Sequence, residues 1–159
     1  MKISSAILAA FSTLLVSLPG YGQMGMMQGG GMMQGGGMMN GSIRGGYVAQ
    51  HGIDPRYASS ANPLPRSARN IADGKRLYDQ NCALCHGPTG LGDGAAARGL
   101  NPPPANIAAI GRWPMATDGY LYWTIAEGGV PLGTAMPAFK ATLQPEQIWQ
   151  LVTYLRGLR

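Results

Sequence analysis

Cys82-Ala83-Leu84-Cys85-His86 holds both cysteines of this 159-residue chain and one of its two histidines. C-x-x-C-H is the attachment signature of a c-type haem. Each thiol can add across one haem vinyl group, and the residue that follows is set to ligate the iron through its imidazole. The spacing suits that chemistry, because one helical turn separates the thioethers and the next turn brings the ring to the metal. Two other readings of the cysteines are weaker. A thioredoxin-like dithiol calls for a βαβ pattern around C-x-x-C, and residues 76–81 and 87–90 carry none. A structural zinc site takes about four Cys or His ligands. The only further histidine is His51, in a Gly-rich stretch well upstream.

A low-spin haem needs a ligand on its other face. Gly133-Thr134-Ala135-Met136-Pro137 supplies a candidate. A thioether is soft and neutral, and it raises the reduction potential relative to a second histidine. Pro137 fixes its own φ and keeps Met136 extended, which stiffens the approach of the sulfur. The alternative is that Met136 fills the core, as methionine often does.

Two further patterns flank these ligands: Gly74-x-x-x-Tyr78 before the cysteines and Leu151-Val152-x-Tyr154-Leu155 near the end. With them, residues 67–159 resemble the class I c-type cytochromes, the mono-haem, His/Met-ligated, periplasmic kind. The resemblance implies an all-α fold of three to four helices around one covalently bound haem c. Cys82 and Cys85 would hold that haem, and His86 and Met136 would be its axial ligands. It implies that the first and last helices cross nearly at right angles, with Gly74 admitting an aromatic ring. It also implies that a loop carbonyl accepts the His86 Nδ1–H, which orients the ring and raises its basicity. One of Pro102, Pro103 and Pro104 is the expected source. Haem attachment in this family takes place outside the cytoplasmic membrane, which points to the bacterial periplasm.

The start of the chain agrees with export. Met1-Lys2, the apolar residues 3–18 and the break Pro19-Gly20-Tyr21-Gly22 read as a secretory signal over residues 1–22. The apolar run is shorter than the roughly twenty residues that cross a bilayer, so a membrane association is expected only if the segment stays uncleaved. Residues 24–41 repeat Met-Met-Gln-Gly-Gly-Gly and carry no charge, so a disordered leader is expected. Three roles stay open for it: a flexible spacer, a soft-metal tract collecting Cu(I) through paired thioethers, and a sacrificial oxidation site. Residues 42–65 read as irregular, punctuated by Gly45-Gly46, Asp54-Pro55, Asn62-Pro63 and Pro65. The expected organisation is therefore residues 1–22 as signal, 23–66 as a flexible Gly/Met-rich and Pro-containing segment, and 67–159 as the cytochrome c domain.

Within that domain, Ser67 or Asn70 can cap a helix reaching Asn81 with Leu77 and Tyr78 inward. Gly74 costs about 1 kcal/mol there relative to alanine, and close packing against Tyr154 is the expected compensation. Asp118 can cap a second helix over residues 119–127 with Leu121 and Ile125 toward the core. Trp113, Tyr120, Tyr122 and Trp123 crowd that region, with Trp113 favoured to reach a haem propionate. A last helix starts near Pro145 and buries Ile148, Leu151, Val152 and Leu155.

Composition sets the remaining bounds. The net charge is +5 at pH 7, one unit less once Lys2 is removed. The positive residues are dispersed, which argues against nucleic acid and for steering toward an acidic docking surface. With protein ligands on both faces of the iron no substrate position is open. The chain reads as an electron carrier rather than an enzyme, either free or as the cytochrome subunit of a dehydrogenase, reductase or oxidase. The alternatives are a haem enzyme or gas sensor with a labile sixth ligand, and a copper-handling protein that uses the Met-rich tract.

Overall fold

The computed structural model describes residues 42–158. The readings of residues 1–41 as signal and Met-rich leader lie outside them. The described residues form seven α-helices, two short 3-10 turns and no strand: α1 (Ile43–His51), α2 (Pro55–Ala58), α3 (Ala68–Asn81), α4 (Ala83–His86), α5 (Ile107–Ile110), α6 (Asp118–Glu127) and α7 (Pro145–Leu155).

The three helices expected from periodicity are present, and local chemistry explains their ends. The Ser67 hydroxyl accepts from the Asn70 amide at 3.2 Å and starts α3. Pro145 occupies the first turn of α7, and Gln144 and Gln147 satisfy each other's backbone amides. At α6 the cap is Thr117, whose hydroxyl accepts from the Tyr120 amide at 3.1 Å. Asp118, expected as the cap, is instead the first helical residue, where its charge suits the helix N-terminus.

α3 packs chiefly on α7, and α6 completes the core beside α7. Tyr78, Ile148, Leu151 and Val152 are fully buried at this junction. A Cβ on Gly74 would overlap the Gln150 carbonyl of α7 and lie 2.9 Å from the Tyr154 Cβ. The expected Tyr154 contact is thus real, but the nearer obstacle is backbone. The Tyr78 and Tyr154 rings sit 5.3 Å apart beside it.

Of the stretch 42–65 expected to be irregular, residues 59–65 are so and the earlier part is helical. Residues 42–58 carry α1 and α2, because tertiary burial outweighs the weak helix propensity of Gly45 and Gly46. The Ser42 hydroxyl caps α1 by accepting from the Gly45 amide at 3.0 Å, and Val48 is buried in the core. Asp54-Pro55 starts α2 as cap and first-turn proline rather than breaking the chain. Asn62 then donates to the Trp149 carbonyl at 3.0 Å and the Thr153 hydroxyl at 2.9 Å, and Arg66 donates to the Thr153 carbonyl at 2.7 Å. These bonds strap residues 60–66 along α7.

Candidate haem site

α3 and α4 are nearly continuous. Cys82 caps both, with its amide donating to the Tyr78 carbonyl at 2.8 Å and its carbonyl accepting from His86 at 2.9 Å. That junction puts Cys82, Cys85 and His86 on one side of the turn, facing a shared cavity. Gly87 ends α4 at φ 76°, a conformation that glycine adopts without strain. The turn-rich loop then folds back over the motif. The amides of Gly92, Gly94 and Ala96 donate to the carbonyls of His86, Cys85 and Leu84 at 2.8, 3.1 and 2.9 Å. Those carbonyls end a four-residue helix and would otherwise lack intrahelical donors. The Tyr78 hydroxyl donates to the Gly87 carbonyl at 2.6 Å, tying α3 to the end of the motif.

His86 Nδ1 lies 3.0 Å from the Ala105 carbonyl. A carbonyl only accepts, so Nδ1 carries the proton and Nε2 keeps its lone pair. The proline run was expected to supply this acceptor, and the structure assigns it to the residue immediately after. Burial holds the His86 imidazole below its ordinary pKa, with the Ala105 bond opposing more weakly. The ring is therefore neutral, as a metal ligand must be. Burial, reinforced by neighbouring Cys85, pushes the Cys82 thiol up to about 12. That is the reverse of the depressed pKa that activates a redox dithiol, so the burial of Cys82 speaks against the thioredoxin-like reading.

Met136 enters on a loop sewn back to α6. Gly128 ends α6 at φ 64°, and a Cβ there would overlap Pro137. Gly129 donates to the Met136 carbonyl at 2.8 Å, and Phe139 and Lys140 donate to the Ile125 and Ala126 carbonyls, both at 3.1 Å.

Cys82, Cys85, His86 and Met136 all line one cavity of about 400 Å³, within the range of cofactor pockets. Most of its remaining wall is apolar, including Ile110, Leu132 and Phe139. Two thiols, an imidazole and a thioether around an apolar slot are the set that a covalently held haem calls for. The residues present fit that group. His51 is not among the lining residues; it is exposed at the end of α1, its ring 4.6 Å from Tyr47.

Several lining residues were not legible in the sequence. Trp113, expected at the site, instead packs against the core, and Tyr120 of the same aromatic group reaches the cavity. Ser42, Ile43 and Arg44 come from the stretch expected to be irregular. The one available signal was Ser42 ahead of a potential helical turn.

Comparison with known proteins agrees with this geometry. Residues 69–155 match the family described as cytochrome c oxidase, cbb3-type, subunit III. The chain is 35% identical over 104 residues to the cbb3-type cytochrome c oxidase subunit CcoP of Azospirillum sp. (strain B510), covering 64% of this chain and 33% of that protein. It is 32% identical over 110 residues to the same subunit of Azospirillum brasilense, covering 69% of this chain and 35% of that one. The chain thus spans about a third of the length of these relatives. A solved structure, the Kuenenia stuttgartiensis reducing HAO-like protein complex Kustc0457/Kustc0458, aligns with a TM-score of 0.51 at 29% identity, over 60% of this chain and 46% of that one. Since the family match spans more than half of its length, this chain belongs to the cbb3-type cytochrome c oxidase subunit III family of c-type cytochromes.

Proposed function

We propose that this chain is a periplasmic single-electron carrier holding one haem c, with thioether bonds to Cys82 and Cys85 and axial ligands His86 and Met136. The observation that carries the reading is the convergence of these four side chains on one apolar cavity. Bound haem c supplies a one-electron ferrous/ferric couple. The protein's part is to hold the ligands still through the change of charge. The Ala105 carbonyl fixes the His86 tautomer and orientation. The Met136 loop is anchored to α6 by the Phe139 and Lys140 amides, and the Met136 carbonyl is held by the Gly129 amide. A neutral thioether from Met136 together with the neutral His86 imidazole would favour ferrous iron and a high potential. The apolar wall would keep water from a haem held there.

With His86 and Met136 both holding the iron, no place would be left on it for a substrate, which favours carriage over catalysis. The sequence has two cysteines and hence one C-x-x-C-H, so one haem is expected in it. The similar proteins are named as an oxidase subunit and as part of an HAO-like complex. By analogy we assign this chain to electron exchange with a larger redox assembly through a weak, transient contact. Its mild positive charge would favour an acidic docking surface.

The test is an absorption spectrum of the haem-loaded protein, oxidised and reduced, with carbon monoxide added, for the wild type and Met136→Ala. The expected wild type is low-spin and inert to carbon monoxide, while Met136→Ala binds it. A wild type that binds carbon monoxide readily would overturn the His86/Met136 assignment and with it the carrier reading.

A further inference from the structure

Among the described residues, the buried polar or charged side chains are Arg44, 8% exposed, and Thr153, 4% exposed. Thr153 is satisfied by the Trp149 carbonyl at 2.9 Å on its own helix. Arg44 is a different case, because it forms no ion pair: Glu127, already bonded to Lys140 and Tyr57, supports its charge without pairing with it. Its guanidinium donates to the Gly128 carbonyl and lies 4.2 Å from the centre of the Trp123 ring. Both partners are neutral. None of the ion pairs among the described residues includes it. Burial works against its charge more than any neighbour supports it. A guanidinium does not escape this by losing its proton, and buried charges are ordinarily paired.

Arg44 lines the same cavity as the four haem-site residues, beside Ser42 and Tyr120. A haem entering that cavity brings two carboxylates, its propionates. We propose that Arg44 is seated on the cavity wall as the counter-charge to a haem propionate, so that α1 is a working wall of the cofactor site. α1 lies outside the family-matched residues 69–155. A guanidinium has five N–H donors in a fork that matches a carboxylate. One nitrogen is committed to Gly128, which orients the fork. The Ser42 and Tyr120 hydroxyls line the cavity beside it as further donors. Neutralising a propionate removes a negative charge that would otherwise stabilise ferric iron, so Arg44 raises the reduction potential.

The inference rests on the haem reading of the cavity, and the experiment separates the two. Haem-loaded wild type, Arg44→Gln, Arg44→Met and Arg44→Lys are titrated spectroelectrochemically. Arg44→Gln keeps a donor for Gly128 and loses the charge; Arg44→Lys keeps the charge and loses the fork. One unit charge in a low-dielectric wall is worth about tenfold in the ferrous/ferric equilibrium, or ~59 mV for a one-electron couple. The neutral variants are expected to favour ferric iron by about that factor, and Arg44→Lys to stay within about twofold of wild type. Equal potentials in all four proteins would overturn the proposal. So would an equal fall in Lys and Gln, which assigns Arg44 to packing. Loss of the folded state in Arg44→Lys together with both neutral variants would do the same, whereas loss in the neutral variants alone marks a requirement for the charge. A wild-type potential that moves with chloride concentration while Arg44→Gln stays still would assign the cation to an external anion instead. Failure of the haem reading itself would be recognised by the absence of any haem spectrum in the wild type, a result the Arg44 substitutions do not touch.

Discussion

Gly74→Ala tests how α3 and α7 are held together. On an isolated helix the change is favourable by about 1 kcal/mol. In the fold the new methyl would overlap the Gln150 carbonyl and stand 2.9 Å from the Tyr154 Cβ. A backbone carbonyl inside a helix cannot swing aside as a side chain can, so the two helices must separate. Overpacking of this kind costs about 1–3 kcal/mol, and the upper end applies where backbone must move. Setting about 3 kcal/mol against the propensity gain of about 1 leaves a net loss of ~2 kcal/mol. For a domain of this size that is a melting point lower by roughly 10 °C. Gly74→Val adds two more methyls at the same contact and gives up helix propensity as well, so it melts lower still. The assay is far-ultraviolet circular dichroism of the haem-loaded proteins through a thermal ramp at equal concentration. Gly74→Ala melting at or above wild type would refute the argument, because propensity alone would then describe the site. Near-equal melts for Ala and Val would also refute it.

Two other substitutions report on separate parts of the fold. Tyr78→Phe removes the bond to the Gly87 carbonyl, which keeps the Gly90 amide at 3.2 Å as a second donor, so the loss is about 1 kcal/mol, read as a lower denaturant midpoint with unchanged slope; an unmoved midpoint would deny the bond any net contribution. Glu127 accepts from Lys140 and Tyr57, each at 2.6 Å, and the Lys140 bond is the main cause that holds its carboxyl below the ordinary 4.5. A lowered folded pKa means the unfolded chain binds the proton more readily, so this stability is complete above about 4.5 and is lost as pH falls through the folded value. Glu127→Gln is therefore expected to melt below wild type at pH 7, with the gap closing on acidification; a gap independent of pH would contradict the linkage.

The readable part of the site was the part encoded locally. C-x-x-C-H needs only one stretch of chain to declare its chemistry, and the Met136-Pro137 dipeptide, far along the chain, needs only its own local stiffness to stand out. The helices α3, α6 and α7 were legible because capping residues and apolar periodicity act within a few turns. The one-residue slip at Thr117 and Asp118 arose because both side chains can cap, and the sequence contains nothing that separates them. The acceptor for His86 was illegible for a different reason. Every residue of the 102–105 run offers a carbonyl, and the choice falls out of how the loop folds back, with Gly92 packed against Pro104 and its amide on the His86 carbonyl.

The sequence by itself therefore determined the cofactor class, the helical character and the order of the principal helices, because those follow from short-range spacing. What only the tertiary structure decided is which distant segments close the cavity. α1 has a glycine pair and little helical signal, and it folds because Val48 and Arg44 find burial against elements far along the chain. Arg44 reaches Gly128 and Trp123 across that distance, and Tyr120 rather than Trp113 meets the cavity by virtue of its place on α6. Contacts between residues so far apart in sequence leave no periodic trace, since the free energy that selects them comes from a surface that exists only once the chain is folded.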